Sequence, residues 1–216
     1  MMNPNPIRIK DIAWIEGINL CSNIYIMGKD EITLVDTGSG YRNDLISNSL
    51  SKLKLSMGNI NKVVLTHSHF DHVGGLVEIL AYSSPKIFVH PSEMKFLELP
   101  SQVEIHELGE DQTIRTEARN LKVLHTPGHT CGSVCLYDED DALLFTGDTV
   151  FPGGSFGRTD LPTGDEHMLI KSLKKLSELS VETMLPGHGN PIVKKAYLHI
   201  RHSFQQAKTF FGVDPP

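Results

Sequence analysis

Cysteine is scarce: Cys21, Cys131 and Cys135 are the only three in 216 residues. An odd, low number at irregular spacing argues against a disulfide framework and suits a reducing cytoplasm. Cys131 and Cys135 stand four apart on a loop running into a strand, so their side chains diverge. These two read as small buried residues rather than metal ligands. Long apolar runs are also missing. None approaches the ~20 residues of a membrane span, and the opening "MMNPNPIRIK" lacks the apolar stretch of a secretory signal. Basic charge is short as well: 20 Lys and Arg against 26 Asp and Glu leave a net charge of −6. No basic stripe is visible, which argues against a role on nucleic acid. The expectation is a cytoplasmic protein that acts on a small molecule, with neither membrane nor nucleic acid as partner. There is no internal repeat and no Pro/Gly-rich linker, so residues 1–216 read as a single domain with an ordinary core.

Histidine is what the chain has in surplus, at 11 residues. Four ligand-type side chains, His67, His69, Asp71 and His72, fall within six positions of "LTHSHFDHVGG" (65–75). Imidazoles and a carboxylate so close together repel if charged and waste burial if neutral. A metal ion resolves the conflict. His67 and His69 follow the strand "VVLT", and period-two geometry brings both rings to one side. Asp71 and His72 lie where the chain turns into the next helix and can face a second ion. Gly74 and Gly75 allow a tight backbone there. Mixed imidazole and carboxylate donors suit zinc, iron or manganese.

The pattern around this motif places it at a strand end. "NIYIMG" (23–28) and "EITLVDTG" (31–38) read as a hairpin joined by "KD". Residues 41–58 read as an amphipathic helix with Leu45, Ile46, Leu50 and Leu53 inward and Gly58 as its stop. A buried strand (61–67), a helix (75–83) and a strand (86–90) follow. The middle reads as four strands, "DQTIRTE", "LKVLHTPG", "GSVCLYDED" and "ALLFTGDTV", with Asp138 to Asp141 a solvated hairpin turn. Helices over 163–179 and 193–211 close the chain around a short strand, 182–189. The first opens with Thr163 and Glu166 at capping-box spacing, and Leu169, Leu173 and Leu176 form its inner face. In the second, Val193, Tyr197, Ile200, Phe204, Ala207 and Phe211 make one stripe. Two batches of strands, each followed by helices, predict a four-layer αββα sandwich.

Three further donors stand at strand ends beside glycine: His129 in "TPGHTCG", Asp148 in "FTGDTV" and His188 in "LPGHGN". Together with the motif they give five histidines and two aspartates, enough for two metals. His67, His69 and His129 would hold one ion and Asp71, His72 and His188 the other, with Asp148 bridging. His90, His106, His125, His167, His199 and His202 lack ligand spacing and read as non-ligands.

The string T-H-S-H-F-D-H-V-G-G, with the later P-G-H-T, G-D and P-G-H-G, resembles the metallo-β-lactamase-fold hydrolase superfamily, from "VDTG" (35–38) to His188. The resemblance implies the αββα sandwich and two divalent ions, zinc first. True β-lactamases lack a bridging aspartate, whereas "TGDTV" supplies Asp148. The stretch "GSFGRTDLPTGD" (154–165) is similar to the G-R-T-D segment of glyoxalase II-like thioesterases and of persulfide dioxygenases. The dioxygenases bind one iron and depart from P-G-H-G, which this chain keeps. The resemblance therefore implies a glyoxalase II-like hydrolase, with a mononuclear iron persulfide dioxygenase and a lactonase as alternatives. In the implied reaction a hydroxide shared by the two ions attacks a thioester carbonyl. Asp71 orients that hydroxide, and Asp36 holds a ligand histidine. Arg158 and Asp160 line the substrate mouth or fix the loop by a mutual salt bridge. Typical glyoxalase II adds a C-terminal helical region that helps hold glutathione. The 28 residues after His188 form mostly one helix, so the expectation extends to another thiol or another acyl group.

Overall fold

The computed structural model describes residues 6–41 and 44–213. Two compact units are present, Met1–Leu108 with Ile114–Asn120, and Gly109–Thr113 with Leu121–Pro216.

The first unit is built on a seven-stranded sheet in sequence order: β1 (Ile7–Ile9), β2 (Ile12–Ile15), β3 (Ile24–Met27), β4 (Ile32–Val35), β5 (Ile60–Val64), β6 (Lys86–Val89) and β7 (Ile105–Glu107). Strands β1 to β4 run antiparallel, with the expected hairpin pairing Tyr25 with Val35. From β4 to β7 the neighbours are parallel. Parallel neighbours bring their carboxyl ends to one edge, where α/β sheets gather their ligands. Residues 36–40, 65–75 and 90–94 all leave the sheet at that edge.

Helix α1 (Leu45–Lys52) is shorter than the periodicity predicts. Residues 42 and 43 of the predicted helix lie outside the described residues. Its end is set by Lys54, at φ 60°, not by Gly58. The amide of Lys54 donates to the Ser51 carbonyl and that of Leu55 to Leu50, so two of the last carbonyls are satisfied by a left-handed turn. Eight residues do not hold a helix alone in water. Leu45, Ile46 and Leu50 are buried in the first core, and each such burial contributes about 1.5–3 kcal/mol. Short helices α2 (Phe70–Val73) and α3 (Leu76–Leu80) follow β5, and α4 (Pro91–Met94) follows β6.

The second sheet has the order β12-β11-β10-β9-β8, with β8 (Thr113–Arg115), β9 (Asn120–His125), β10 (Val134–Asp138), β11 (Leu143–Gly147) and β12 (Thr183–Pro186). β10 is antiparallel to both β9 and β11, and β12 is parallel to β11. Strands β9, β11 and β12 therefore point the same way, and residues 126–132, 148–151 and 187–190 leave from one edge. Asp138 departs from the expected solvated turn: it is buried, and its Oδ1 accepts from the Asp141 amide at 3.3 Å. Helix α5 (Glu166–Ser177) starts three residues later than predicted. Its cap is Asp165, whose Oδ1 accepts from the Met168 amide at 2.8 Å. Thr163 lies outside the helix at φ 71° and accepts instead from the Cys131 amide. Leu169, Leu173 and Leu176 are buried as expected, and so are Ile200 and Ala207 of α6 (Ala196–Phe210). Val193 precedes α6 and is exposed, so the predicted stripe begins later. Among the described residues, no helix is long and apolar enough to cross a membrane.

Candidate metal centre

His67 and His69 sit just past β5, and His72 lies in α2. His67 and His72 are buried; His69 and Asp71 are partly exposed. His67 Nε2 faces His69 Nδ1 at 3.0 Å. The ring of His72 packs against that of His67 with centroids 4.1 Å apart. Asp71 Oδ2 lies 3.7 Å from His72 Nε2.

The hydrogen bonds around these rings decide their tautomers. Asp36, at the end of β4, is buried and accepts from the Thr66 amide at 2.8 Å, the Thr66 hydroxyl at 2.8 Å and His72 Nδ1 at 2.8 Å. A carboxylate only accepts, so His72 carries its proton on Nδ1 and leaves a lone pair on Nε2. The Thr66 hydroxyl spends its proton on Asp36. It therefore accepts from His67 Nδ1, 3.1 Å away, and the lone pair of His67 is on Nε2. Lone pairs held this way by a second hydrogen bond are what metal-binding imidazoles require.

Glu93, in α4, was not legible as a site residue. It is fully buried, and its Oε2 accepts from the Ser68 amide at 3.0 Å and from the Ser68 hydroxyl. Ser68 separates His67 from His69, so Glu93 pins the backbone between two donors. Asp36, His67 and Glu93 follow β4, β5 and β6, three adjacent parallel strands.

In the second unit, His129 follows β9, Asp148 follows β11 and His188 follows β12. His129 Nδ1 donates to the Arg158 main-chain carbonyl at 2.8 Å, which again leaves Nε2 with the lone pair. Asp148 is buried, and its Oδ2 lies 3.7 Å from His129 Nε2 and 3.5 Å from His188 Nε2. A Cβ on Gly157 would come within 1.9 Å of the Asp148 carbonyl oxygen and 3.0 Å of His129 Cβ. Only glycine allows this approach. The G-R-T-D segment thus acts partly through its main chain. Arg158 and Asp160 are exposed and form a bidentate pair, at 2.7 and 2.6 Å. The guanidinium holds the Asp160 carboxyl down at about 2.

Within the first unit His67, His69, Asp71 and His72 lie together past β5, and within the second His129, Asp148 and His188 lie together past β9, β11 and β12. Imidazoles, three of them oriented by a second hydrogen bond, together with carboxylates fit a borderline divalent ion. The other histidines are engaged elsewhere. His106 stacks on Phe88, His125 Nε2 bonds the Cys131 carbonyl, and His199 Nδ1 accepts from the Gly153 amide. Cys135 is buried, and Cys21 and Cys131 are partly so.

The sequence model of the metallo-beta-lactamase superfamily matches residues 19–188. The chain belongs to the metallo-beta-lactamase superfamily. Its two sheets and their helices match the αββα sandwich of that superfamily. Relatives include hydroxyacylglutathione hydrolase GloC of Haemophilus influenzae, 33% identical over 61% of this chain and 70% of that protein. Another is the atrochrysone carboxyl ACP thioesterase AacuM of Aspergillus aculeatus, 30% identical over 78% of this chain and 50% of that protein. A solved structure in a di-iron-bound form aligns with TM-score 0.68 and 28% identity, covering 87% of this chain and 93% of that one. This superfamily member is a metal-dependent hydrolase in architecture, with two His/Asp clusters suited to a dinuclear site.

Proposed function

We propose that the protein is a dinuclear-metal thioesterase of glyoxalase II type. His67, His69 and His129 would hold one divalent ion, and Asp71, His72 and His188 would hold the other. Zinc is the first choice, with iron or manganese also suited to the donors. The observation that carries this reading is the position of Asp148. Its Oδ2 stands between the Nε2 atoms of His129 and His188, one from each proposed ligand set. This position supports a bridging role for Asp148, in a reading that takes residues 1–216 as one functional domain.

When bound, such an ion pair supplies Lewis-acid stabilisation of an oxyanion and lowers the pKa of water toward neutrality. The chain's own side chains do the rest. Asp36 and the Arg158 carbonyl hold His72 and His129 in one tautomer each. Asp71, partly exposed beside His72, orients the attacking water toward the carbonyl. Thiolate is a good leaving group, so little acid catalysis is needed. Arg158 and Asp160 border the substrate mouth. The names of two relatives, one a hydroxyacylglutathione hydrolase and the other an acyl-carrier-protein thioesterase, support the thioester class.

The test is metal content by elemental mass spectrometry on protein purified without chelators, followed by a panel of thioesters. Two ions per chain with thioester turnover is the expected result. Asp148→Ala should lose both metal and turnover; an active, fully loaded variant would overturn the bridging role. A single iron, unchanged after supplementation, would point to the persulfide dioxygenase and to oxygen-uptake assays.

A further inference from the structure

Phe70 stands between His69 and Asp71, yet its side chain is not used in the core. It is 56% exposed and meets the ring of Tyr41 edge-on, with centroids 5.3 Å apart. Tyr41 is itself 81% exposed. Beside it opens a pocket of about 470 Å³, whose apolar wall includes Ile18, Leu20, Tyr41, Leu45 and Ile46. Leu20 at its rim is 81% exposed and Ile18 is 47% exposed. Soluble proteins seldom leave large apolar side chains contiguous and wet unless something covers them. A volume of this size is in the range of small-molecule sites.

The pocket wall is tied to the motif through the main chain. The Ser22 amide, next to the pocket residue Cys21, donates to the Asp71 carbonyl at 3.1 Å. Thr37, another wall residue, donates to the His72 carbonyl through its amide at 2.8 Å and its hydroxyl at 2.9 Å. The apolar surface therefore runs from the metal-binding segment, over Phe70 and Tyr41, into the pocket without leaving this unit. Among the described lining residues the charged ones are both acids, Glu16 and Glu78. Glu78 is already engaged with the amides of Ile46 and Ser47 at the start of α1. Two carboxylates at the wall disfavour an anionic occupant. With anions disfavoured, the apolar side chains that make most of the wall fit an uncharged hydrocarbon.

We propose that this pocket binds the apolar acyl chain of the substrate, with Phe70 and Tyr41 as the passage from the reacting carbonyl. The proposal rests on the thioesterase reading for its substrate, but the pocket can be tested apart from it. The experiment uses the metal-loaded full chain and straight-chain acyl thioesters of N-acetylcysteamine, from acetyl to decanoyl. Octanamide, which is not a thioester, serves as a binding probe by calorimetry. The expected result is kcat/KM rising roughly fourfold per added methylene up to about octanoyl, with octanamide binding to the same protein. Leu20→Asp, a change at an exposed side chain, should flatten the octanoyl-to-acetyl ratio toward one and remove octanamide binding.

The outcomes separate the two ideas. Equal turnover at all chain lengths with no octanamide binding overturns the pocket and leaves the thioesterase standing. No thioester turnover, with octanamide bound by the native chain and not by Leu20→Asp, overturns the thioesterase and keeps an apolar-ligand site. A dimer in light scattering that Leu20→Asp dissociates, with no octanamide bound, assigns the apolar rim to a second copy and overturns the proposal.

Discussion

Asp36 Oδ2 accepts a hydrogen bond from His72 Nδ1 at 2.8 Å, with both side chains buried and 36 positions apart in the chain. The same carboxylate also takes both Thr66 donors, and Thr66 in turn orients His67. One side chain therefore sets two imidazoles that belong to different proposed ligand sets. Asp36 sits at φ 57°, a left-handed conformation that asparagine also tolerates. Asp36→Asn should keep the backbone and lose the charge-assisted acceptance. Metal affinity should fall by about 10–100-fold, the usual cost of removing such a partner. Chelator competition measures it; an unchanged affinity would show that the tautomers are held another way.

Gly157 yields a sharper case, because the side chain it lacks is the point. A methyl group there would collide with the Asp148 carbonyl and press on His129. Asp148 and His129 are held by different strands, so the loop 154–160 must move to relieve the clash. That movement takes the Arg158 carbonyl away from His129 Nδ1. Gly157→Ala should therefore lower metal content and activity together. Arg158→Ala, which keeps the carbonyl, should retain its metal. Elemental analysis of both variants checks the pair. If Arg158 also contacts substrate, its variant should raise KM with metal content intact.

Much of this was legible in the sequence, for a physical reason. Ligand residues at strand ends announce themselves by type and by neighbouring glycines: His67, His69, Asp71 and His72 cluster in one unit, and His129, Asp148 and His188 in the other. Buried strands and inward helix faces such as Leu169, Leu173 and Leu176 follow from periodicity. Element ends were less visible. Helix α1 stops at Lys54 in a left-handed turn that no glycine marks. The helix after Thr163 is capped by Asp165, since Thr163 is drawn to the Cys131 amide. Glu93 was invisible because its partner, Ser68, is 25 residues away and joined only by the return of β6 to the sheet. A glutamate in "HPSEM" carries no local signal that it will be buried. The Arg158–Asp160 pair had both a bonding and a substrate reading, and geometry shows the bonding one present.

That pair also makes a pH prediction. Arg158 lowers the Asp160 carboxyl from its usual 3.8 to about 2. A depressed folded-state value means stability that is present above the unfolded value and is lost as pH falls through the folded one. The contribution should therefore be complete near pH 6 and fade between about pH 4 and pH 2. Both side chains are exposed, so solvent and salt screen the pair and the effect is small. In urea unfolding at low salt, Asp160→Asn should unfold slightly earlier than the native chain at pH 6. The gap should narrow at pH 3 and close in 1 M salt, where screening reaches within about 3 Å. A gap that widens on acidification would contradict the assigned partner.

The three thiols should differ in reactivity, although none is paired in a disulfide. Cys135 lies in β10, fully buried, and burial pushes its thiol up to about 11. Its Sγ is within 3.4 Å of the Thr126 hydroxyl and bonds the Thr146 carbonyl, so it is enclosed as well as neutral. The thiolate is the species that attacks an alkylating agent. At pH 8 a group with a value near 11 is thiolate in only about one molecule in a thousand. Cys21 and Cys131 are partly exposed. Iodoacetamide at pH 8 should therefore label Cys21 and Cys131 in the folded chain well before Cys135. In urea, Cys135 should join them at the rate of an ordinary thiol. Peptide mass spectrometry reads all three positions at once. Early labelling of Cys135 in the native chain would mean that β10 opens, and with it the sheet that carries His129 and Asp148 at its edge.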